Sequence, residues 1–314
     1  MEKNLKLISI VTPCYNEEEN VEDLYKQIKE IFSSLEGYTY EHIFIDNASK
    51  DNTVKILKEI AKKDKNIKII VNVRNFGHIR SPYYALFQSK GDAVILMTAD
   101  LQDPPYLIRD FIKKWEEGFK IVIGVKSKSD ENSALFAIRK LYYRLIKAFS
   151  ETEQIKNFTG FGLYDRKFID ILKQFDDPYP YFRGLIAEIG FERAEIEFVQ
   201  PKRKKGKSHN NFYTLYDMAM LGFVNHSKAP LRMAVFIGFI TAICSFLIAI
   251  FYFVYKIVFW NSFQVGVAPI IIGFFFFSSI QLCFIGIIGE YVGATYTQIK
   301  RKPLVIERER VNFE

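Results

Sequence analysis

The sequence predicts an α/β domain with a doubly wound, mostly parallel sheet, followed by an interfacial helix and two transmembrane helices. Three observations support this fold class. Short β-rich runs alternate with stretches of helical periodicity between Leu5 and Val125, polar turn residues follow the runs, and two long apolar stretches lie near the C-terminus. Strands that alternate with helices at this spacing need right-handed crossovers, which make neighbouring strands parallel.

Each strand is predicted from a β-rich run that turn residues end. The first run, Leu5–Val11, is ended by Pro13, and the central run, Ala93–Thr98, leads into a turn that Pro104 and Pro105 close. An apolar run bounded by turn residues is typical of a strand in a covered parallel sheet. The other predicted strands are His42–Ile45, Ile67–Val73, Lys120–Val125 and Ala194–Val199.

Each helix is predicted from apolar residues spaced three or four positions apart. Glu17–Leu35 shows this spacing and stops at Gly37. Ser49 or Asp51 can cap the next helix, whose apolar face carries Val54, Leu57, Ile60 and Ala61. The remaining predicted helices of this domain are Ile79–Ser89, Tyr106–Glu117 and a basic amphipathic helix from Ser133 to Ser150.

The chain divides into four predicted parts. Residues 1–210 form a cytoplasmic α/β domain, residues 211–231 an amphipathic interfacial helix, residues 232–290 a two-helix transmembrane domain and residues 291–314 a cytoplasmic tail. The two spans, Met233–Tyr255 and about Val265–Ile288, each exceed the roughly 20 apolar residues that cross a hydrocarbon core.

Basic residues at the outer ends of the spans predict the membrane topology. Arg232 precedes the first span and Lys300–Lys302 follows the second, so the positive-inside rule places both ends in the cytoplasm. The N-terminal apolar run is too short for a signal peptide. We therefore expect a multi-pass protein of the cell (inner) membrane.

Composition and missing motifs exclude several function classes. The net charge is +7, but the excess is concentrated in Pro201–His209, so no nucleic-acid binding is predicted. Cys14, Cys244 and Cys283 give neither a disulfide framework nor a metal spacing. No GxGxxG follows the first strand and no GxxxxGKS occurs, which argues against a dinucleotide oxidoreductase and a P-loop nucleoside triphosphatase.

The turn after the central strand carries the clearest chemical signal. Asp100, Gln102 and Asp103 follow this strand at the carboxyl edge of the predicted sheet, where open α/β sheets bind ligands. Oxygen ligands two residues apart can hold a divalent cation that binds a diphosphate. For any one of these residues, the alternative is an ordinary turn residue or helix cap.

Polar residues at two further strand ends are predicted to face the same cleft. Pro13, Tyr15 and Glu17 follow the first strand, and Asp46 ends the second. A tyrosine can stack on a nucleobase while a neighbouring carboxylate accepts hydrogen bonds from the base or the ribose. These residues predict a site for a nucleoside diphosphate, whose charge must be met by a metal ion and basic side chains.

Six motifs share one resemblance. They are Thr12–Glu18, Ile45–Ser49, Arg74–His78, Ala99–Pro105, Phe182–Leu185 and Arg203–His209. With them the sequence resembles the family-2 glycosyltransferases of the GT-A fold, in the branch that moves sugars to polyprenyl phosphates (dolichol-phosphate mannose synthase-like and bactoprenol glucosyltransferase-like). The order and spacing match over nearly the whole chain, including the membrane segments.

The resemblance implies roles for matching residues. Asp100 and Gln102 would hold Mg²⁺ or Mn²⁺, and Arg203 would bind phosphate oxygens through its planar guanidinium. The implied catalytic residues are Asp100, Asp103 and Arg203. The implied nucleotide-binding residues are Pro13, Tyr15, Glu17, Asp46 and Arg74. The residues implied to bind the acceptor phosphate are Arg183, Arg203, Lys207, Ser208 and His209.

Three positions depart from the family pattern. Thr98 replaces the first acid of the usual Asp-Ala-Asp, and Asn47 replaces the second acid of an Asp-Asp pair. The stretch Asn157–Leu163 lacks both acids of the usual Asp-x-x-Asp-Phe-Arg-Leu. Metal binding is therefore expected to depend on Asp100, Gln102 and Asp103.

We interpret the sequence as an inverting glycosyltransferase that moves a hexose from a UDP- or GDP-sugar to a polyprenyl (undecaprenyl) phosphate. The acceptor phosphate is largely anionic near pH 7, so no strong general base is needed. One alternative is transfer to a hydroxyl of a glycan or glycolipid, with Glu188 or Asp103 as the base. A membrane scaffold without activity is the alternative of another class. The sugar, the nucleotide, the fate of the glycolipid and homo-oligomerisation stay open.

Overall fold

A computed structural model describes residues 5–128, 155, 157–201, 229–259, 267–300 and 302–313. Within them one sheet contains the strands β1 (Lys6–Cys14), β2 (Tyr38–Asp46), β3 (Ile67–Asn72), β4 (Ala93–Leu96), β5 (Ile121–Lys128), β6 (Phe158–Asp165), β7 (Arg193–Val199) and β8 (Glu307–Val311). The helices are α1 (Val21–Ser33), α2 (Thr53–Lys63), α3 (Gly77–Leu86), α4 (Ile108–Glu116), α5 (Arg166–Leu172), α6 (Phe182–Ile189), α7 (Ala229–Val258) and α8 (Val267–Ile299). Short 3₁₀ turns span Pro105–Leu107 and Lys173–Phe175.

The sheet is mixed and mostly parallel, which confirms the predicted α/β class. Its strand order is β7-β5-β6-β4-β1-β2-β3-β8. β1 pairs in parallel with both β2 and β4, while β6 and β8 run antiparallel to their neighbours. The chain first winds outward from β1 to β3 and then returns to β4 on the other side of β1. This reversal is the place where α/β sheets bind ligands.

Apolar residues cover both faces of the sheet. On one face α1, α2 and α4 bury residues such as Leu24, Leu57 and Phe111 against the strands. On the other face α3, α5 and α6 bury residues such as Leu86 and Phe168. Burial on both sides explains why the strands read as nearly continuous apolar runs.

Two strands were not predicted from the sequence. β6 lies in the stretch Asn157–Leu163, where Gly160 and Gly162 lower the β propensity. β8 consists largely of charged residues within the segment that we predicted to be a cytoplasmic tail. The predicted central strand also ends earlier, at Leu96, because the chain turns there to bring Thr98 beside the acidic residues.

The C-terminal helices are long, and part of one of them has the length and composition to cross a membrane. Within the described residues, Phe276–Ile299 is a 24-residue segment that is apolar and long enough to cross a membrane, and Met233–Ile248 is a shorter apolar segment. Large apolar side chains on both helices are exposed, among them Phe236 and Leu282. The second of the two predicted spans extends further than expected, to Ile299. The predicted helix at 133–150 and most of the interfacial helix, at 211–228, lie outside the described residues.

The chain beyond α8 returns to the α/β domain, and we call residues 302–313 the C-terminal strap. The Gln298 side chain at the end of α8 donates to the Asp177 carboxylate at 3.0 Å. The guanidinium of Arg80 donates to the Pro303 carbonyl, and the Val73 N–H donates to the Ile306 carbonyl at 3.0 Å. The strap ends as β8, beside β3.

Candidate active site

A cleft of about 1030 Å³ lies at the carboxyl ends of β1 and β4. Its polar part is formed by the turns after these strands, and its apolar part by α3 and the start of α6. The polar lining residues are Tyr15, Glu17, Asn47, Asn75, His78, Thr98, Asp100, Gln102, Asp103, Thr159 and Arg183. The position agrees with the reversal of strand order at β1.

Thr98 joins the two acids of the turn after β4. Its hydroxyl lies 2.8 Å from the carboxylates of both Asp100 and Asp103, and its backbone N–H donates to Asp103 at 2.9 Å. The Gln102 N–H donates to Asp100 at 3.2 Å. Leu101 has a positive φ of 59°, which tightens the turn. Thr98, which replaces the family's acid, therefore positions the carboxylates of Asp100 and Asp103 relative to each other.

Asp103 lies in an environment that favours its protonated form. The side chain is only 4% exposed. Burial and, to a smaller extent, the nearby charge of Asp100 raise the pKa of this carboxyl, the hydrogen bonds from Thr98 lower it, and the net result is a pKa of about 6. Near neutral pH this group can therefore exchange a proton with its surroundings.

Asp46 ends β2, directly before Asn47, which lines the cleft. Asp46 is fully buried, it accepts the Ser49 N–H at 2.9 Å, and its Oδ1 atom has no hydrogen-bond partner. Burial raises the pKa of Asp46, while hydrogen bonds from Ser49 and the charge of Arg308 oppose this effect. A buried carboxylate oxygen without a donor is a strong acceptor for a ligand N–H or O–H.

Asn47 organises the loop that joins β3 to α3. Its Nδ2 donates to the Asn75 side chain and to the Gly77 carbonyl, both at 3.0 Å. Its Oδ1 accepts from the Phe76 N–H at 2.8 Å and from Asn72 at 3.2 Å. A carboxylate could make only the accepting bonds. This explains why an amide stands where the family has an acid, a role that the sequence alone did not reveal.

Two glycines explain part of the third departure from the family pattern. A Cβ atom at Gly162, where the family has arginine, would lie 2.4 Å from the Val122 carbonyl oxygen. Gly160, where the family has an acid, has a φ of +106° and lines the cleft. Neither position accepts the family residue without local rearrangement.

The structure brings together most of the predicted site residues that it describes. The cleft is lined by Pro13, Tyr15, Glu17, Asp100, Gln102, Asp103 and Arg183. Asp46 is buried directly before Asn47, which lines the cleft. Arg74 does not line it: this exposed side chain lies 4.0 Å from the Phe76 ring and donates to the Asn75 carbonyl. Glu188, one of the two candidate bases, is exposed and does not line the cleft.

Four predicted phosphate-binding residues lie outside the described residues: Arg203, Lys207, Ser208 and His209. Their predicted roles stay predictions.

The acidic turn suits a metal ion that a diphosphate helps to hold. Among the described residues no group of three or more His, Cys, Asp or Glu side chains could hold a metal ion alone. Asp100 and Gln102 offer oxygen donors to the cleft, whereas Asp103 is engaged with Thr98. Mg²⁺ is commonly bound by one or two carboxylates together with substrate phosphates and water. The residues present fit that pattern.

Comparison with known proteins gives a consistent result over the whole chain. The model of the family described as Glycosyl transferase family 2 matches residues 9–172. The chain is 33% identical over 307 residues to the uncharacterized glycosyltransferase YkcC of Bacillus subtilis, covering 98% of this chain and 94% of the relative. It is 31% identical over 300 residues to the SfII prophage-derived bactoprenol glucosyl transferase of Shigella flexneri, covering 95% and 96%.

Among solved structures, mannosyl-3-phosphoglycerate synthase from Rubrobacter xylanophilus matches with a TM-score of 0.48 and 16% identity. The match covers 68% of this chain and 71% of that one. At this distance nothing about substrates follows from the likeness.

Proposed function

The chain belongs to glycosyl transferase family 2 and is a glycosyltransferase; from this premise, we propose that it is a membrane-bound, inverting enzyme that moves a hexose from a UDP- or GDP-sugar to a polyprenyl phosphate. The observation that carries the proposal is the cleft in which the Asp100 turn and Arg183 line one continuous surface. The relatives named bactoprenol glucosyl transferases, which match over nearly their full length, support a polyprenyl acceptor.

The nucleoside diphosphate of the donor occupies the polar part of the cleft in this proposal. Tyr15 offers a ring for stacking on the base, and Glu17 accepts hydrogen bonds from the base or ribose. The Oδ1 atom of Asp46, which is fully buried and has no hydrogen-bond partner, is proposed to accept from the ligand once the turn after β2 has moved. Asp100 and Gln102 follow the carboxyl end of β4, which pairs with β1, and the diphosphate is proposed to lie beside them. A bound Mg²⁺ or Mn²⁺ at these two residues would offset the negative charge of the diphosphate.

In the chemical step, an oxygen of the acceptor phosphate attacks the anomeric carbon of the sugar. A new C–O bond forms as the bond from the anomeric carbon to the diphosphate breaks, and a nucleoside diphosphate leaves with the bonding electrons. Direct attack from the opposite side inverts the anomeric centre. Arg183 supplies positive charge for the acceptor phosphate, and Arg203 is proposed to stabilise the departing diphosphate.

The position of the protein in the membrane is part of the proposal. α7 and α8 are taken as two spans with both ends in the cytoplasm, and residues 211–231 as an interfacial helix. The exposed apolar side chains of both helices and the positive charge at their ends support this topology. The proposed domain limits are those given by the sequence, except that the strap adds a strand to the α/β domain.

Transfer to a hydroxyl group is a second candidate because of Asp103. This carboxyl lines the cleft, and burial raises its pKa to about 6, which suits a general base. A phosphate acceptor would need no such base. The identity of the acceptor therefore separates the two candidates.

The deciding experiment supplies purified protein with Mn²⁺, undecaprenyl phosphate and a panel of radiolabelled UDP- and GDP-sugars, and follows label into the organic phase. We expect transfer from one donor, and a loss of at least about 100-fold in Asp100→Ala. The control is Asp110→Ala, which changes an exposed acid on α4. Nucleotide release without labelled lipid phosphate would favour the hydroxyl acceptor. Neither binding nor release with any donor would favour the scaffold.

A further inference from the structure

The cleft has an apolar side that donor binding does not use. Ile79 and Pro82 of α3 face this side, as do Tyr181 and Phe182 at the start of α6. We call these four residues the apolar wall. All four are half-buried, so they keep surface that a ligand can cover. The acidic turn after β4 forms the other side of the same cleft.

We infer that the apolar wall binds the first isoprene units of the acceptor lipid, with the lipid phosphate at Arg183; this rests on the proposed function. The wall offers aliphatic and aromatic surface without charge, which suits a hydrocarbon chain. Arg183 follows Phe182 directly and lines the cleft, so a cation stands at one end of the wall. The phosphate of an isoprenyl phosphate would meet positive charge there.

The charges of the cleft fix the direction in which the lipid lies. Glu17, Asp100 and Asp103 occupy the polar part, and carboxylates repel a free phosphate. An acceptor that enters with its phosphate at Arg183 keeps its chain on the apolar wall and its anionic oxygen toward the donor sugar. The opposite orientation would place hydrocarbon against carboxylates, which costs desolvation energy.

Two contacts place the apolar wall beside the chain that leaves the membrane. Gln298 at the end of α8 bonds to Asp177, which lies shortly before Tyr181 and Phe182. The carbonyl of Pro303 in the strap accepts from Arg80, which lies between Ile79 and Pro82. The segment before Tyr181 is thus bonded to the end of α8, and the helix that carries Ile79 and Pro82 is bonded to the strap that follows α8.

The aromatic packing behind the wall keeps its shape. The Phe182 ring contacts the rings of Tyr83 and Tyr164, with centroids 6.4 and 5.2 Å apart. Tyr164 is fully buried and donates to the Gly160 carbonyl at 2.7 Å. Phe182 is therefore packed against the domain core.

The test compares soluble acceptors of increasing chain length with the full-length protein in detergent. The acceptors are isopentenyl, geranyl and farnesyl phosphate, used with the donor that the panel selects. We expect KM to fall as isoprene units are added. Ile79→Gln should raise KM for farnesyl phosphate about tenfold, because polar surface replaces aliphatic contact. The KM for farnesyl phosphate should rise by a larger factor than the KM for the donor.

Leu5→Gln is the matched control, since Leu5 is 55% exposed and lies just before the amino end of β1, whereas the cleft lies at the carboxyl end of that strand. Phe182→Leu is a second variant that retains an apolar side chain against Tyr164, and it should raise the same KM by a smaller factor. In the wild type, a benzophenone-bearing farnesyl phosphate should label peptides 77–86 and 177–189, and farnesyl phosphate should compete.

Three outcomes would overturn the inference. Labelling confined to α7 and α8, with an unchanged KM in Ile79→Gln, would place the lipid elsewhere while leaving the proposed function intact. A rise in KM for the donor alone would assign the wall to the sugar. Transfer to no isoprenyl phosphate of any length, undecaprenyl phosphate included, would reject the proposed function together with the wall.

Discussion

At the scale of single residues, the departures at Thr98, Asn47 and Gly160–Gly162 have structural explanations, whereas nothing in the structure explains the loss of the acid at Asn157. Thr98 binds two acids, Asn47 donates two hydrogen bonds that an aspartate could not donate, and Gly162 fits against a backbone carbonyl. The sequence showed that these residues were unusual, but their partners come from other elements of the fold. In a scaffold without catalytic activity, nothing would require Thr98 to hold Asp100 and Asp103 in place, so this turn argues against the scaffold alternative.

Thr98→Val should test the turn. Valine keeps the shape but removes the hydroxyl, whose single proton can be donated to Asp100 or to Asp103, a bond worth about 1 kcal/mol. We expect kcat to fall about tenfold or more while the fold persists. Steady-state transfer and a melting curve would measure the two effects. The control is Thr39→Val, near the amino end of β2 and away from the cleft. Equal decreases of kcat in both variants would contradict the role given to Thr98.

His42 should make the stability of the domain depend on pH. The side chain is fully buried, its Nε2 lies 2.9 Å from the Thr12 hydroxyl, and burial lowers its pKa to about 3. The unfolded chain binds a proton near pH 6.5 that the folded chain does not bind, so stability falls as the pH drops below that value. Relative to His42→Gln, wild type should lose about 2 kcal/mol between about pH 7.5 and about pH 5.

Urea unfolding of both proteins at each pH measures this difference. If the free energy of unfolding changes with pH equally in wild type and variant, His42 has the same pKa in the folded and the unfolded chain.

At the scale of elements, the sequence predicted the regular βα units and missed the two strands that run antiparallel. The early strands have apolar runs followed by turn residues, which identifies them without reference to the rest of the chain. β6 is rich in glycine and β8 is rich in charged residues. Each is stable as a strand because it pairs with a neighbouring strand, β4 and β5 for β6 and β3 for β8. For the same reason the sequence placed the acidic turn correctly but could not reveal the apolar wall, whose two sides come from α3 and α6.

Gly162→Ala should weaken β6 specifically. The added Cβ would lie 2.4 Å from the Val122 carbonyl oxygen in the adjacent strand β5. We expect a loss of about 3 kcal/mol, near the upper end for overpacking. Gly37→Ala is the comparison, because Gly37 has a φ of +83° but no atom within 4 Å of its Cβ position, and it should lose only about 1 kcal/mol. Chemical denaturation would report both values, and equal losses would argue against the clash.

At the scale of the whole molecule, the strap connects the apolar helices with the catalytic domain. Lys58 of α2 pairs with Glu309 at 2.6 Å, and the Asn312 side chain donates to the carbonyls of Ala61 and Ile67, both at 2.9 Å. Arg310 donates to the Tyr84 hydroxyl of α3 and to the side chain of Gln88, just after that helix. β8 thus contacts helices on both faces of the sheet and covers the edge of β3.

A chain that ends after Lys302 should lose the protection of this edge. Without β8, the amides of β3 that pair with it face solvent, and the loop at Val73 loses its bond to Ile306. We expect hydrogen exchange in β3 to accelerate by at least about 100-fold and nucleotide affinity to fall, since the Asn47 loop is anchored beside β3. A chain that ends at Phe313 is the control. Unchanged exchange in β3 would show that the strap is dispensable for the sheet.

The position of β8 in the chain also sets an order of events during synthesis. The ribosome makes β1 to β7 first, then the two apolar helices, and only then the strand that completes the sheet. A nascent chain that is released early, or whose helices have not yet left the ribosome, carries an unfinished edge at β3. Completion of the domain therefore has to follow production of its apolar helices, so the finished enzyme arises only from a chain whose apolar helices have already been made.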